Sequence, residues 1–301
     1  MEHHKLAKDT KRASTMATEG HAINRLKERI GHLALDKINL SQIRHFIAHR
    51  QSAGGVSART VNLEITVLRN VLNMAIDRKF INKLPTENLR PLKVKKIDRK
   101  LKPIEAIEKL CAVAFEARFC NGRLAKPGEK AHPLLNAEQF ADYIRLMCFA
   151  GSRMAESLRL RWDDVDWAKR QLTIGADGLA KNGKSRAVDF NDKLETHLRD
   201  MQSRRLPGTQ WLFPSPRSGE TDAPARTFRE SLRLARQAAD LPGFGFHDLR
   251  HSYISYCIMA GIDFMTIARW VGHQDGGILI GRVYGHIANE HAQRQAKKLQ
   301  F

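Results

Sequence analysis

The sequence predicts a mainly α-helical protein with a small antiparallel β-sheet in its C-terminal domain. Three observations point there. Apolar residues recur at helical spacing through most of the chain. Over residues 162–190 that period gives way to two short strand-like runs on either side of an Asn-Gly pair. A basic stretch with one proline, residues 90–100, separates an all-helical first third from the rest.

In chain order, residues 1–20 are polar and weakly patterned and read as a frayed arm. A weak helical pattern covers residues 23–30. Leu40, Ile43, Phe46 and Ile47 then share a face, with Ser41 as the expected cap and Gly54-Gly55 as the stop. Val61, Ile65, Leu68, Leu72 and Ile76 form the next helix, which ends before Pro85. These helices make a first domain over 1–95, followed by a linker at 96–102 and a second domain over 103–301. Pro103 suits the first turn of a helix faced by Ile104, Ile107, Leu110, Cys111, Ala114 and Phe115. Residues 121–134 read as a surface loop. Asn136 opens the next helix, in a capping box with Gln139, and Gly151 breaks it. A further helix is expected over 153–160, strands at 172–174 and 187–190, and another strand at 211–213. Helices resume at 227–240, 247–260, 263–271 and 288–301.

The 42% hydrophobic content supports real cores, and the formal net charge is +19 with a pI near 10.1. Residues 1–100 hold 21 Lys and Arg against 9 Asp and Glu, so most of that excess lies in a third of the chain. Such a balance points to a polyanion, with nucleic acid ahead of an anionic membrane surface. Phosphate attraction scales with the number of neutralised charges. No apolar run is long enough to span a bilayer, and the first residues lack the apolar core of a secretory signal. The four cysteines have no paired short spacing. They read as buried or free thiols in a reducing cytoplasm rather than a zinc ribbon or disulfide framework.

The stretch Gly245-Phe246-His247-Asp248-Leu249-Arg250-His251 begins one of these helices. His247 and Arg250 are three apart and share a face. An imidazole exchanges a proton near pH 7, and a guanidinium fork holds two phosphate oxygens. Downstream come Gly272-His273 and Tyr284. Tyr143, Tyr253 and Tyr256 lie in apolar helical stretches and read as structural. Tyr284 follows a segment broken by Gly276, Gly277 and Gly281 that could carry it to a substrate. A phenol, with an ordinary pKa of about 10, becomes a nucleophile when a base takes its proton or cations stabilise the phenolate.

These residues resemble the C-terminal signature of the tyrosine recombinase (phage integrase) family. Gly151-Ser152-Arg153-Met154-Ala155-Glu156 is similar to the segment carrying that family's first active-site arginine, here Arg153. Ala180-Lys181-Asn182-Gly183-Lys184-Ser185-Arg186 is similar to its lysine-bearing β-hairpin. The matches run in order from Gly151 to Tyr284, and the basic N-terminal helices are similar, more loosely, to the family's core-binding domain. The resemblance implies a two-domain clamp on double-stranded DNA that cleaves and rejoins strands without a metal or other cofactor. Tyr284 would attack the scissile phosphate, giving a 3′-phosphotyrosyl link and a free 5′-hydroxyl. Arg153 and Arg250 would hold the non-bridging oxygens. His247 would accept the tyrosine proton or bind the phosphate, and His273 would bind a phosphate oxygen and help place the nucleophile. Lys181 would protonate the leaving 5′-oxygen; it fits the family pattern better than Lys184, which with Arg186 would contact the DNA backbone or face solvent. The resemblance also implies self-assembly on DNA, as a tetrameric synapse, with accessory DNA-bending proteins as further partners, in the cytoplasm at the nucleoid.

Glu156, three residues after Arg153, reads as a support for the site rather than a catalytic group. The gap from His273 to Tyr284 is slightly longer than the family's. His247 and His251 at i and i+4 lack a third zinc ligand. The basic amphipathic tail over 286–301 could lie on its own domain or, as in the family, on a neighbouring protomer. A type IB topoisomerase-like enzyme and a non-catalytic DNA-binding regulator are the competing readings. The full set of Arg153, Lys181, His247, Arg250, His273 and Tyr284 argues against the second.

Overall fold

The computed structural model describes residues 11–52, 55–94, 101–178, 183–215 and 222–284. The chain divides into two compact units, Met1–Asp98 and Arg99–Phe301, with the division inside the basic stretch. The first unit is built from α1 (Ala13–Ile30), α2 (Leu40–Ser52) and α3 (Ala58–Asp77), with a short 3-10 turn at Leu35–Lys37. Its core joins Leu26 and Ile30 of α1 with Ile43 and Phe46 of α2 and Ile65, Leu68 and Leu72 of α3. Arg50 holds the buried Glu64 carboxylate with two bonds of 2.6 and 2.9 Å. The arm expected over 1–20 is helical from Ala13, and Glu19 within it is buried and paired with Lys11. Asn39, not Ser41, caps α2: its side chain accepts from the Gln42 N–H, and Gln42 returns a bond to the Asn39 N–H.

The second unit opens with α4 (Ile104–Glu116) and a hairpin of β1 (Phe119–Cys120) and β2 (Arg123–Leu124), whose turn and second strand lie within the stretch expected as loop. Asn121 and Gly122 turn it, both with positive φ. Then comes α5 (Ala137–Ala150), which buries residues on every side and forms the axis of the unit. The expected capping box at its start does not form. The Asn136 carboxamide instead accepts from Ser231, a tertiary bond that displaces the local one. After α6 (Met154–Ser157) come the sheet strands β3 (Val165–Asp166), β4 (Gln171–Ile174) and β5 (Arg186–Asp189), antiparallel in the order β3-β4-β5. Helices α7 (Asp192–Ser203), α8 (Arg229–Ala238), α9 (Phe246–Met259) and α10 (Phe264–Val271) complete the named elements, and residues 278–284 are again helical.

Two expectations fail here for one reason. The helix expected over 153–160 is a single turn, and the strand expected at 211–213 is a single bridge, Arg161 to Trp211. In Leu158-Arg159-Leu160-Arg161 the leucines are buried and the arginines are not, a period of two. Leu158 and Arg159 stay in a turn, and the chain becomes extended at Arg161, with Leu160 accepting from the Leu212 N–H at 2.9 Å and Trp162 donating to the Gln210 carbonyl at 2.9 Å. Among the described residues no helix is long and apolar enough to cross a membrane. Cys111, Cys148 and Cys257 are free and buried, and Cys120 is free and half-buried. The expected tail helix lies outside the described residues.

Candidate active site

The site begins where α5 stops. Gly151 takes a left-handed conformation, φ +61°, and a Cβ there would lie 2.3 Å from the Tyr253 ring. Its carbonyl, turned out of the helix, accepts from Arg250 Nη1 at 2.8 Å. Ser152 and Ser157 are buried and share a 2.5 Å hydroxyl bond that braces the turn. Arg153 then opens α6, and Glu156 three residues on returns to it twice, to its backbone N–H at 3.2 Å and to Nη1 at 2.8 Å.

The far wall is the end of α10. Gly272 is left-handed, φ +71°, and the His273 N–H reaches back to the Ala268 carbonyl at 2.9 Å, a Schellman stop. The last three carbonyls of that end, those of Trp270, Val271 and Gly272, each meet a different arginine. Arg186 Nε donates to Trp270 at 2.7 Å, Arg250 Nη2 to Val271 at 2.5 Å and Arg153 Nη2 to Gly272 at 3.1 Å. Three guanidiniums thus gather on the negative end of one helix, with Glu156 as the carboxylate between two of them: Arg186 Nη2 donates to its Oε2 at 2.7 Å.

The electrostatics follow from that crowding. Burial, and then repulsion by Arg153 and Arg186, lowers Arg250 to about 9. Burial would raise Glu156, but Arg186 and then Arg153 outweigh it and hold the carboxyl below the usual range. Burial, and then the nearby Arg250, pushes His273 down to about 4, so its ring is neutral at pH 7, and its Nδ1 is buried without a hydrogen-bond partner among the described residues. An anion entering this wall would meet concentrated positive charge and an imidazole able to take up a proton.

Of the expected residues, Arg153 and Arg250 converge on this wall, and His273 follows it directly in the chain. His247 is exposed at the first turn of α9, one turn before His251. Tyr284 is 4% exposed, within an apolar cluster that includes Ile254, Ile267 and Val271, and its hydroxyl meets His251 Nδ1. Lys181 lies outside the described residues; Lys184 is exposed. Arg186 departs from expectation: its side chain is 7% exposed, bonded into the site rather than facing DNA or solvent. The signal was there in parity, because Arg186 precedes the fully buried Val188 by two on β5 and so shares its face. Trp270 adds a second tie between α10 and that strand, Nε1 to Asp189 at 2.8 Å.

Elsewhere, Asp142, His197 and Asp200 have ligand atoms close enough to hold a metal ion. Arg204 already occupies both carboxylates, and His197 Nε2 faces the Asp142 carbonyl, so the cluster reads as a structural ion-pair network.

A left-handed glycine, a turn carrying Arg153 and an arginine on the HxxR helix make an arginine-rich wall beside a tyrosine-bearing helix. The sequence model described as the phage integrase family matches residues 132–291, and that of the phage integrase SAM-like domain matches residues 1–95. The chain belongs to the phage integrase family, the tyrosine recombinases. It is 24% identical over 289 residues to the ICEBs1 integrase of Bacillus subtilis (strain 168), covering 88% of this chain and 71% of that protein. It is also 24% identical over 250 residues to the tyrosine recombinase XerA of Pyrococcus furiosus, covering 82% of this chain and 76% of that one. Its fold is that of a lambda integrase(75–356) dimer bound to a COC′ core site (TM-score 0.71, 17% identity, 91% of this chain and 93% of that one). It is likewise that of the Tn1549 transposon integrase in complex with a circular intermediate DNA (TM-score 0.75, 15% identity, 99% and 98%).

Proposed function

We propose that this protein is a site-specific DNA recombinase of the integrase type, cleaving and rejoining double-stranded DNA through a 3′-phosphotyrosyl intermediate on Tyr284. The observation that carries the reading is the arginine wall: Arg153 and Arg250 held on successive carbonyls of one helix end. Donors fixed in advance around a phosphorus stabilise charge as it develops on the non-bridging oxygens, and each is worth roughly 10²–10³ in rate. The wall supplies the charge that a metal would otherwise bring, so the reaction is proposed to run without one.

In the first step the Tyr284 oxygen forms a bond to phosphorus while the bond to the 5′-oxygen breaks. His247 takes the phenol proton, and Lys181 gives one to the departing 5′-oxygen. His273, neutral beforehand, binds a non-bridging oxygen. A 5′-hydroxyl from another strand reverses these transfers and restores a phosphodiester, so no external energy is needed. In the DNA-free protein the phenol is bonded to His251, and attack requires it to exchange that partner for the phosphate. The basic first unit is proposed to grip the duplex. Assembly into a synapse of four protomers, with DNA-bending accessory proteins, is proposed by analogy; one similar solved structure is a lambda integrase tetramer bound to a Holliday junction.

The test is trapping on a nicked substrate whose short 5′ fragment diffuses away after cleavage. The wild-type protein should accumulate a covalent adduct, and Tyr284→Phe should form none. An adduct that persists in Tyr284→Phe would overturn the nucleophile.

A further inference from the structure

The arginine wall contains three guanidiniums, and the reaction as proposed uses two. Arg186 is the third. It lies on β5, among the described residues, with its side chain 7% exposed. One arm meets Glu156 Oε2 at 2.7 Å and the other meets the Trp270 carbonyl at 2.7 Å. Glu156 in turn is bonded to Arg153 through its other oxygen at 2.8 Å. Arg153 and Arg186 therefore divide one carboxylate.

We infer that Arg186 is a positioning residue for strand cleavage: it takes up half of Glu156, so that Arg153 keeps the positive charge needed to hold the scissile phosphate. Glu156 is needed to orient Arg153, because it fixes both the backbone and the guanidinium of that residue. A carboxylate that orients an arginine also neutralises it. A second arginine resolves the conflict, leaving the three cations and one anion with a surplus of two charges. The second arm serves the same end. The Trp270 carbonyl is the first of the three that receive the arginines, so the bond from Arg186 fixes the helix end to which Arg250 and Arg153 are also attached. A buried carboxylate left with a single partner would draw Arg153 towards itself and away from an incoming anion.

The inference rests on the proposed role of Arg153, and the experiment separates the two. The rate of covalent adduct formation is measured in single turnover on the nicked substrate. Saturating protein gives the maximal rate, and a protein titration gives the half-saturation point. Arg153→Ala is the control on the underlying reading and should remove adduct formation; if it does not, the proposed function of Arg153 falls and this inference with it. Arg186→Gln should lower the maximal rate about 10²-fold, as loss of one fixed cationic group does, with half-saturation moved less than about threefold. The deciding variant is Arg186→Gln combined with Glu156→Gln. With the carboxylate charge gone, nothing neutralises Arg153, and about tenfold of the lost rate should return. A merely structural Arg186 makes the double variant as slow as Arg186→Gln or slower. That outcome, or a wild-type rate in Arg186→Gln, overturns the inference while leaving Arg153 in place. Should Arg186→Gln melt below the assay temperature, Arg186→Lys takes its place. An ammonium keeps a charge beside Glu156 but cannot span both partners, so a rate within about tenfold of wild type is expected. A loss near 10²-fold in a variant of unchanged melting temperature would overturn the charge-sharing role.

Discussion

Gly151→Ala should damage the second unit out of proportion to one added methyl. Two effects add. The backbone there is left-handed, φ +61°, which costs an L-residue about 1–2 kcal/mol. The new Cβ would also stand 2.3, 2.7 and 2.9 Å from three carbons of the Tyr253 ring, all inside van der Waals contact. Tyr253 is itself buried against Ile254, Ile267 and Val271 and cannot swing aside freely. Overpacking of that kind costs about 1–3 kcal/mol. The sum is about 2–5 kcal/mol, or roughly 5–15 °C in melting temperature for a unit of this size. Function should fall further than stability, because the displaced residue offers the carbonyl that holds Arg250 at 2.8 Å. The assay is thermal unfolding by circular dichroism beside adduct formation well below the midpoint. A double-mutant cycle with Tyr253→Leu apportions the loss: the ring clash should be relieved by at least about 1 kcal/mol while the backbone strain stays. If Gly151→Ala melts within 2 °C of wild type, the close approach of α9 to this turn is wrong, and so is the geometry of the wall built on it.

Other expectations concern charge and protons. His273 binds its proton only near pH 4 in the fold, against about 6.5 unfolded, so stability is full above about 6.5 and is lost as the pH falls towards 4. Discounted for a ring only half removed from solvent, the whole loss is about 2 kcal/mol, of which somewhat over half, about 1 kcal/mol, has occurred by pH 5; urea unfolding at pH 8 and pH 5 should show that part, and His273→Phe should remove it. Arg50→Ala strands the Glu64 carboxylate, whose side chain is 4% exposed, and should cost about 3–5 kcal/mol in urea unfolding. Adding Glu64→Leu should restore most of it, and equal losses in the single and double variants would refute the pairing argument. His251→Ala removes the partner of the resting phenol. If that contact holds Tyr284 back, adduct formation should quicken roughly two- to tenfold, the worth of one hydrogen bond; a slower variant would mean that His251 assists the attack.

The helices were legible because their apolar spacing is regular, and the two units because charge and a proline-bearing basic stretch divide them. The failures share a cause, which is that local pattern lost to a tertiary partner. Asn136 has the residue type of a cap but spends its carboxamide on Ser231. Leu158 to Arg161 can be written on a helix, yet Leu160 and Arg161 are taken up by the segment around Trp211, which ends it. The motif arginines were found through their neighbours in sequence. Arg186 reads as a DNA- or solvent-facing residue because a charged side chain in a hairpin usually faces outward, although its parity with Val188 turns it inward. No sequence pattern could have told that the Trp270, Val271 and Gly272 carbonyls each take one arginine. That depends on a helix end, a strand and a turn meeting from 119 residues apart, as Arg153 and Gly272 do.

The wall and Tyr284, the proposed nucleophile, stand in different states of readiness. The three guanidiniums are fixed before any DNA arrives, bonded to backbone and desolvated enough that Arg250 falls to about 9 and His273 to about 4. Both shifts have burial as their first cause and mutual cationic repulsion as the next, and a phosphate at the wall would reverse the second. On the proposed reading, part of the energy of DNA binding therefore comes from relieving strain that folding has already stored, and linkage requires His273 to gain affinity for a proton as the anion binds. Tyr284 is arranged the other way. Its ring is buried in an apolar cluster and its hydroxyl is engaged by His251. The span that carries it runs through Gly276 and Gly277, both left-handed, with Gly277 so close to Phe264 that a Cβ would lie 2.8 Å from that carbonyl. A site preorganised for charge and a nucleophile engaged elsewhere would let the protein sample DNA without cutting it. On the proposed reading, the exchange of His251 for the phosphate is the step on which assembly with other protomers would act.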